Sequence, residues 1–264
     1  MSALHSLVLA VLQGVTEFLP VSSSGHLALA QYLFGLEELP IVFDVYLHFA
    51  TMMATIVYFF FDIVGLLKEW ILGLFFRERR KSAGWIYGWA VILGSFLTAV
   101  VAFSLEDVAT KAFGLPLAVS CGLVVTASLL RWAGRIPAGN REVSLWTGLA
   151  AGLAQGLAVM PGISRSGSTI AASLMTGAKR EEAFRFSFLL SLPAIMGATF
   201  LEGMKASKMG TSLPDGWLLA CTVAFFCGLL SLHLMKKVVI FGRWKYFALY
   251  CLFVAALGFV IGII

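Results

Sequence analysis

Charge is scarce in this chain and unevenly spread. Only 12% of its 264 residues are Asp, Glu, Lys or Arg, while 60% are hydrophobic and the mean hydropathy is +0.93. A soluble domain carries about 25% charged residues, so that class is excluded and a polytopic membrane protein is expected. No Lys or Arg precedes Lys68. The charged start of a cleavable signal peptide is therefore missing, and the first apolar segment is expected to belong to the mature fold. Cysteine is sparse as well: Cys121, Cys221, Cys227 and Cys251 lie in apolar stretches, without a Cys-x-x-Cys pair or a nearby His cluster. Small packing residues are the expected reading, not redox or metal work. The net charge of +5 and pI near 9.1 would suit a nucleic-acid binder, but the basic residues fall in short runs at the ends of apolar segments. Arg77 to Lys81, Arg131 to Arg141, Lys179-Arg180 and Lys236-Lys237 are such runs. That is the positive-inside pattern, and nucleic acid is not an expected partner.

About 20 apolar residues cross a bilayer as a helix. Six stretches qualify, at roughly 43 to 61 (with an extension to 76), 84 to 103, 115 to 133, 182 to 203, 216 to 236 and 243 to 264. Two regions do not. Residues 3 to 35 are interrupted by Leu19-Pro-Val-Ser-Ser-Ser-Gly25, and residues 144 to 177 by Met160-Pro-Gly-Ile-Ser-Arg-Ser-Gly167. Each reads as two half-length helices meeting at a polar turn, a backbone tolerated at membrane depth only inside protein or along a wet cavity. With both regions as re-entrant hairpins, all the basic loops fall on one side, the cytoplasmic one. The segments around Glu106-Asp107 and 204 to 215 then face outward, with Lys205 and Lys208 a mild conflict.

The two interruptions are related. Adding 142 to Gln13, Gly14, Ser22, Ser24 and Gly25 gives Gln155, Gly156, Ser164, Ser166 and Gly167 without a gap, and Phe43 and Leu47 match Phe184 and Phe188 at an offset of 141. The expected fold is all-α: a single membrane domain, 1-264, built as an inverted-topology repeat. Repeat one covers about 1-135 and repeat two about 142-264, with two re-entrant helical hairpins and six full transmembrane helices. Broken helices in such a fold meet at a central site.

The residues able to do chemistry gather at these interruptions. Gln13 and Glu17 are spaced i, i+4 and share a helix face, so their polar ends converge. A carboxylate inside a membrane segment marks a functional site by default. Ser22-Ser-Ser-Gly25 precedes an apolar run, where free backbone N–H groups at a helix N-terminus form an anion site. Ser164-Arg-Ser-Gly167 repeats this turn and adds Arg165, whose planar fork suits phosphate oxygens. His26 can exchange protons near neutral pH. Asp44 and His48, again i, i+4, support the site from behind or pair with each other, and Arg185 reads as a topology determinant.

Gln13-Gly-Val-Thr-Glu-Phe-Leu-Pro-Val-Ser-Ser-Ser-Gly-His26, Pro161-Gly-Ile-Ser-Arg-Ser-Gly-Ser-Thr169 and Phe186-Ser-Phe-Leu-Leu-Ser-Leu-Pro-Ala194 resemble the undecaprenyl-pyrophosphate phosphatases, the bacitracin-resistance phosphatases, over nearly the whole chain. The resemblance implies a membrane enzyme of the bacterial cytoplasmic membrane that removes the terminal phosphate of undecaprenyl diphosphate. It regenerates the monophosphate carrier for peptidoglycan assembly with a divalent cation, Mg2+ or Ca2+. It implies Ser23 as nucleophile, with Glu17 and His26 as candidate bases and Arg165 as phosphate clamp. Gln13, Ser22, Ser24, Gly25, Ser164, Ser166, Gly167 and Thr169 complete the expected substrate-binding set, and Glu17 and Gln13 are the candidate metal ligands. Gln13 stands where the family often has Glu, which removes one anionic ligand. The implied partners are the polyprenyl diphosphate lipid and the membrane, and the sequence allows a homodimer.

Two other classes were weighed. Lipid phosphatases of the phosphatidic-acid type need a histidine six residues after the arginine, and position 171 is alanine. A secondary transporter or flippase of a phosphorylated lipid or small anion shares the inverted-repeat architecture, but needs less than the full Ser, Glu, His and Arg set.

Overall fold

The computed structural model describes residues 3–36, 41–137, 139–209, 213 and 216–263. Among these residues the protein is built from α-helices and one 3-10 turn, with a lone backbone bridge between Arg141 and Ala178. In chain order the helices are α1 Ala3–Thr16, α2 Ser23–Leu33, α3 Ile41–Tyr58, α4 Phe60–Phe75, α5 Ala83–Phe113, α6 Pro116–Ala133, α7 Leu145–Leu157, α8 Arg165–Met175, α9 Arg180–Met209, α10 Trp217–Phe241 and α11 Trp244–Ile261.

Five of them, α5, α6, α9, α10 and α11, are singly long and apolar enough to cross a membrane. The span expected near 43 to 61 is instead a bent pair, with α3 and α4 meeting at 75°. Neither proline nor glycine stands at the bend, so backbone chemistry does not dictate it. Tertiary packing does: Phe59 is buried between α3 and α4, its ring 5.8 Å from Phe184 and 6.3 Å from Phe188, and Asp62 accepts a 3.0 Å hydrogen bond from Arg185 on α9. Arg185 therefore ties α4 to α9 as well as marking a basic helix end.

The interrupted regions fold as short helix pairs, α1–α2 and α7–α8. Helices α2 and α8 have 11 residues each, about 16 Å at 1.5 Å per residue, roughly half of a 30 Å hydrocarbon core. Each starts at a serine cap. Ser22 Oγ accepts from Gly25 N at 3.3 Å and Ser164 Oγ from Gly167 N at 3.1 Å, satisfying a donor that a helix start leaves unpaired. The chain halves interlock around these pairs: α1 packs on α10, α7 on α5 and α11 on α6.

Gly14 and Gly156 set two of those crossings. A Cβ on Gly14 would lie 2.5 Å from Cys227 Cβ on α10, and one on Gly156 would lie 2.5 Å from Val101 Cβ on α5. The two glycines are 142 apart, so the same small surface is used at the α1–α10 and α7–α5 contacts. The basic ends gather at one face, where Lys179 pairs with Glu142 and Arg180 donates to the Ile240 carbonyl at 3.0 Å. The opposite face carries Glu106, 3.8 Å from Lys205. Part of the segment 204 to 215 expected at that face lies outside the described residues.

Gly14→Ala and Gly156→Ala should each destabilise the protein by about 1–3 kcal/mol through overpacking. Gly65→Ala on α4, where nothing lies within 4 Å of the added carbon, should be neutral or slightly stabilising. Thermal unfolding in detergent measures all three, and equal melting temperatures for Gly14→Ala and Gly65→Ala would refute the close crossing.

Candidate active site

The hairpin tips meet at one carboxylate. Glu17 continues the last turn of α1, its N–H donating to the Gln13 carbonyl at 2.9 Å, which puts Gln13 and Glu17 on one face. Gln13 Nε2 then donates to Glu17 Oε2 at 3.0 Å. Ser23, the first residue of α2, donates its hydroxyl to the same oxygen at 2.5 Å. Arg165, the first residue of α8, pairs with the other oxygen, Oε1. The Glu17 side chain is 2% exposed, so its charge is kept in the interior by these partners and not by water.

Ser23 and Arg165 are 142 apart in sequence, and each opens its own short helix. Two helix N-termini therefore converge with their N–H groups and partial positive charge toward one point, a geometry that holds an anion. Ser166 Oγ donates to the Leu19 carbonyl at 3.2 Å and joins the second tip to the first. Behind the second tip, Thr126 Oγ1 donates to the Gly162 carbonyl at 2.7 Å and accepts from Ser164 N at 2.8 Å. Gly162 has φ +86°, and a Cβ there would collide with the α6 backbone at Val119 and Gly122, while a Cβ on Gly25 would lie 3.0 Å from Gly162 Cα, so both glycines keep the packing close.

A cavity of about 730 Å3 opens in front of this cluster. Glu17, Ser22, Ser23, Ser24, Ser164 and Arg165 line its inner end, and Leu29, Phe113, Val119, Val159 and Ile195 form apolar walls. Its outer end reaches Glu106, Thr110 and Pro116, the face opposite the basic helix ends.

The remaining sequence candidates stand behind that wall. Gln13 is fully buried, Gly25 and Gly167 are buried in the helix starts, and Ser166 is spent on Leu19. Thr169 is fully buried, with its Oγ1 2.5 Å from Ser187 Oγ and donating to the Arg165 carbonyl at 2.9 Å, so it braces α8. His26 is buried too: Nδ1 lies 2.8 Å from the Ser22 carbonyl oxygen and Nε2 2.9 Å from the Tyr250 hydroxyl. Neither nitrogen is directed at Ser23.

Some contributors were missed or underrated. His48 Nε2 lies 3.5 Å from Glu17 Oε2, so this residue reaches the centre; its Nδ1 lies 2.8 Å from the Asp44 backbone oxygen, while the Asp44 carboxylate accepts from Gln31 at 2.8 and 2.9 Å. Thr51, whose Oγ1 accepts from Gln13 Nε2 at 3.4 Å, Thr126 and Tyr250 had only one weak signal, a polar group in an apolar span.

Among the described residues no group of three or more His, Cys, Asp or Glu is arranged to hold a metal ion. Gln13 Oε1, however, is buried with no hydrogen-bond partner, on the same amide that touches Glu17. Mg2+ needs only one or two protein carboxylates when substrate phosphates supply other ligands. Glu17, which lines the cavity, fits a cation shared with a phosphorylated substrate, and Gln13 would add its Oε1 from behind the wall.

Comparison with known proteins identifies the family. A family model described as bacitracin resistance protein BacA matches residues 6–257. An undecaprenyl-diphosphatase of Desulforapulum autotrophicum is 40% identical over 100% of both chains, and one of Syntrophotalea carbinolica is 41% identical over 99% of each. Another, from Methanosphaera stadtmanae, is 36% identical over 99% of this chain and 98% of its own. With nearly its whole length matched and the two motif turns facing each other across Glu17, this chain belongs to the bacitracin resistance protein BacA family.

Proposed function

We propose that this protein is an undecaprenyl-diphosphate phosphatase of the bacterial cytoplasmic membrane. It cleaves the P–O–P bond of undecaprenyl diphosphate, returns the monophosphate carrier to peptidoglycan synthesis and thereby confers bacitracin resistance. The observation that carries the reading is the Ser23 hydroxyl hydrogen-bonded at 2.5 Å to a buried carboxylate that also holds Arg165, where two helix N-termini converge.

The geometry supports the following roles. Ser23 Oγ attacks the terminal phosphorus and its proton passes to Glu17 Oε2, which is already in hydrogen-bond reach. The bond from that phosphorus to the bridging oxygen breaks, and the polyprenyl monophosphate leaves with the bridging electron pair. Glu17 passes the proton taken from Ser23 to the departing bridging oxygen and returns to the carboxylate. Water then attacks the phosphoseryl phosphorus, Glu17 takes the water's proton, and this proton goes to the Ser23 oxygen as the Ser23–phosphorus bond breaks. Arg165 pairs with Glu17, and phosphate oxygens offer its planar fork a better partner. Transfer of Arg165 from Glu17 to phosphate both neutralises the substrate and frees the base. A divalent cation, Mg2+ or Ca2+, held by Glu17 and Gln13 together with substrate oxygens would supply further neutralisation of charge.

We also propose that residues from about 1 to 135 and from about 142 to 264 are inverted copies, with the basic helix ends in the cytoplasm and the cavity open to the other side. The 142-residue match of Ser23 with Arg165 and of Gly14 with Gly156 supports the first part. The distribution of basic residues supports the second. Glu17 is not duplicated, because its counterpart is Val159. One copy supplies nucleophile and base, the other the clamp.

Purified protein should release phosphate from a long-chain prenyl diphosphate in detergent, and chelator should reduce the rate. Binding without release would return the transporter reading. Ser23→Ala should lower kcat by roughly 10³-fold or more while substrate affinity stays nearly unchanged, since Arg165 and the backbone N–H groups remain. Arg165→Lys should lose about 10²–10³-fold, because an ammonium cannot make the two-pronged contact. Substantial single-turnover chemistry in Ser23→Ala would remove the seryl nucleophile in favour of water.

Sidedness has its own test. Single cysteines at 79 and 107 in a cysteine-free variant should differ, with an impermeant thiol reagent labelling only the second from outside the cell. Labelling at 79 would reverse the orientation.

A further inference from the structure

We infer that Tyr250 and His26 are positioning residues which fix the peptide between Ser22 and Ser23 and so aim the Ser23 hydroxyl at Glu17. The inference rests on the phosphatase reading above. It assigns His26 a role other than proton transfer and brings in a residue from the far end of the chain.

The backbone of Ser22 is strained. Its φ is +67° and ψ 92°, and among the described residues it is the one non-glycine with positive φ. Such a conformation persists only where the surroundings over-determine it. Here they do. The Ser22 carbonyl belongs to the Ser22–Ser23 peptide, and it accepts from the His26 backbone N–H at 3.2 Å and from His26 Nδ1 at 2.8 Å. Holding that peptide plane fixes the position of the Ser23 Cα, the point from which its hydroxyl reaches Glu17.

The partners also set the state of the ring. A carbonyl oxygen can only accept, so Nδ1 carries the hydrogen and Nε2 of the neutral ring presents its lone pair. The Tyr250 hydroxyl donates to Nε2 across 2.9 Å, and the two rings lie parallel, 6° apart with centroids at 5.5 Å. Both nitrogens are thus committed, while the Ser23 hydroxyl already has Glu17 as acceptor. Helix α11 touches the first tip at two successive residues, since the Cys251 thiol also approaches the Pro20 carbonyl at 3.9 Å.

The second hairpin serves as an internal control. It has the same Ser-x-Ser-Gly turn, but Ser164 has an ordinary φ of −72° and ψ of 115°, and the residue equivalent to His26 is Ser168. The ring clamp occurs only where the strained backbone occurs. Arg165, at the position equivalent to Ser23, is a long side chain that can find its partner without such aiming.

Tyr250→Phe removes a single oxygen and tests the clamp in the full-length protein. Its kcat on a long-chain prenyl diphosphate should fall about 10- to 100-fold, the effect of a small misplacement, with KM changed by less than about twofold and the shape of the pH profile kept. His26→Asn, which can still donate to the Ser22 carbonyl, should recover much of the rate lost in His26→Ala. Tyr250→Phe added to His26→Ala should cost nothing more, because both act through one contact. Wild-type kcat in Tyr250→Phe would overturn the inference. So would a His26→Asn variant as slow as His26→Ala that has also lost a limb of the pH profile, since the imidazole would then carry the proton. 15N spectra of histidine-labelled protein read the clamp without turnover. The expected signal for His26 is the neutral Nδ1–H form, with Nε2 shifted on Tyr250→Phe; the opposite tautomer or a doubly protonated ring would overturn the clamp. If the wild-type protein releases no phosphate while the 15N signature is found, the phosphatase reading fails and the clamp stands.

Discussion

A buried carboxylate paired with a guanidinium from the other half of the chain is the constraint on which the rest of the structure depends. Glu17 is nearly inaccessible, and removing either member of such a pair leaves an uncompensated charge in the interior, which costs several kcal/mol. The pair can form only if both hairpin tips end at the same depth. That requires α2 and α8 to be half-length and their turns to be enclosed by protein, because unpaired backbone is not tolerated against lipid. The small residues at the helix crossings follow from the same demand. Gly14 and Gly156 let α1 and α7 sit against α10 and α5 closely enough for the tips to touch.

The related turns share one residue pattern but not one backbone conformation. Each places a serine at the cap, a serine two residues later and a glycine after it. What varies is the first helical residue: a short hydroxyl at Ser23, a long cation at Arg165. A nucleophile must be held within a fraction of an ångström to be useful, whereas a clamp can adjust along its own side chain. The strain at Ser22, absent at Ser164, falls on the half that needs the precision.

Most of the architecture was legible in the sequence because membrane burial writes a strong signal. Apolar length gave five spans, and Pro, Gly and Ser at 161–167 and 20–25 gave the breaks. The helix starts at Ser23 and Arg165 followed from the chemistry of caps. The bend at Phe59 was not legible, because it arises from aromatic packing on α9 and no local residue announces it. In the site, contacts of short sequence separation such as Gln13 with Glu17 were readable. His48 was underrated because its spacing to Asp44 suggested a pairing of the two side chains, whereas the structure hands the Asp44 carboxylate to Gln31 and turns His48 toward Glu17. Tyr250 was invisible for a related reason: its partner lies 224 residues away, and periodicity carries no information about which face of one helix meets which residue of another.

The cavity adds a further restriction on what can be bound. Its inner end is polar and presents the Arg165 guanidinium and the helix N-termini, while its walls toward Phe113, Val119 and Ile195 are apolar. A small free phosphate would leave those walls wetted without need. A ligand with a charged head and a hydrocarbon continuation satisfies both parts at once, since apolar surface removed from water contributes about 25 cal/mol per Å2. The two carboxylates at Asp44 and Glu106 line the route to Arg165, so an anionic head gains nothing electrostatically until it reaches the tips. Apolar burial must therefore supply much of the binding, and the charge interactions are kept for the phosphorus where the bond breaks, which is the division of labour that raises turnover more than affinity.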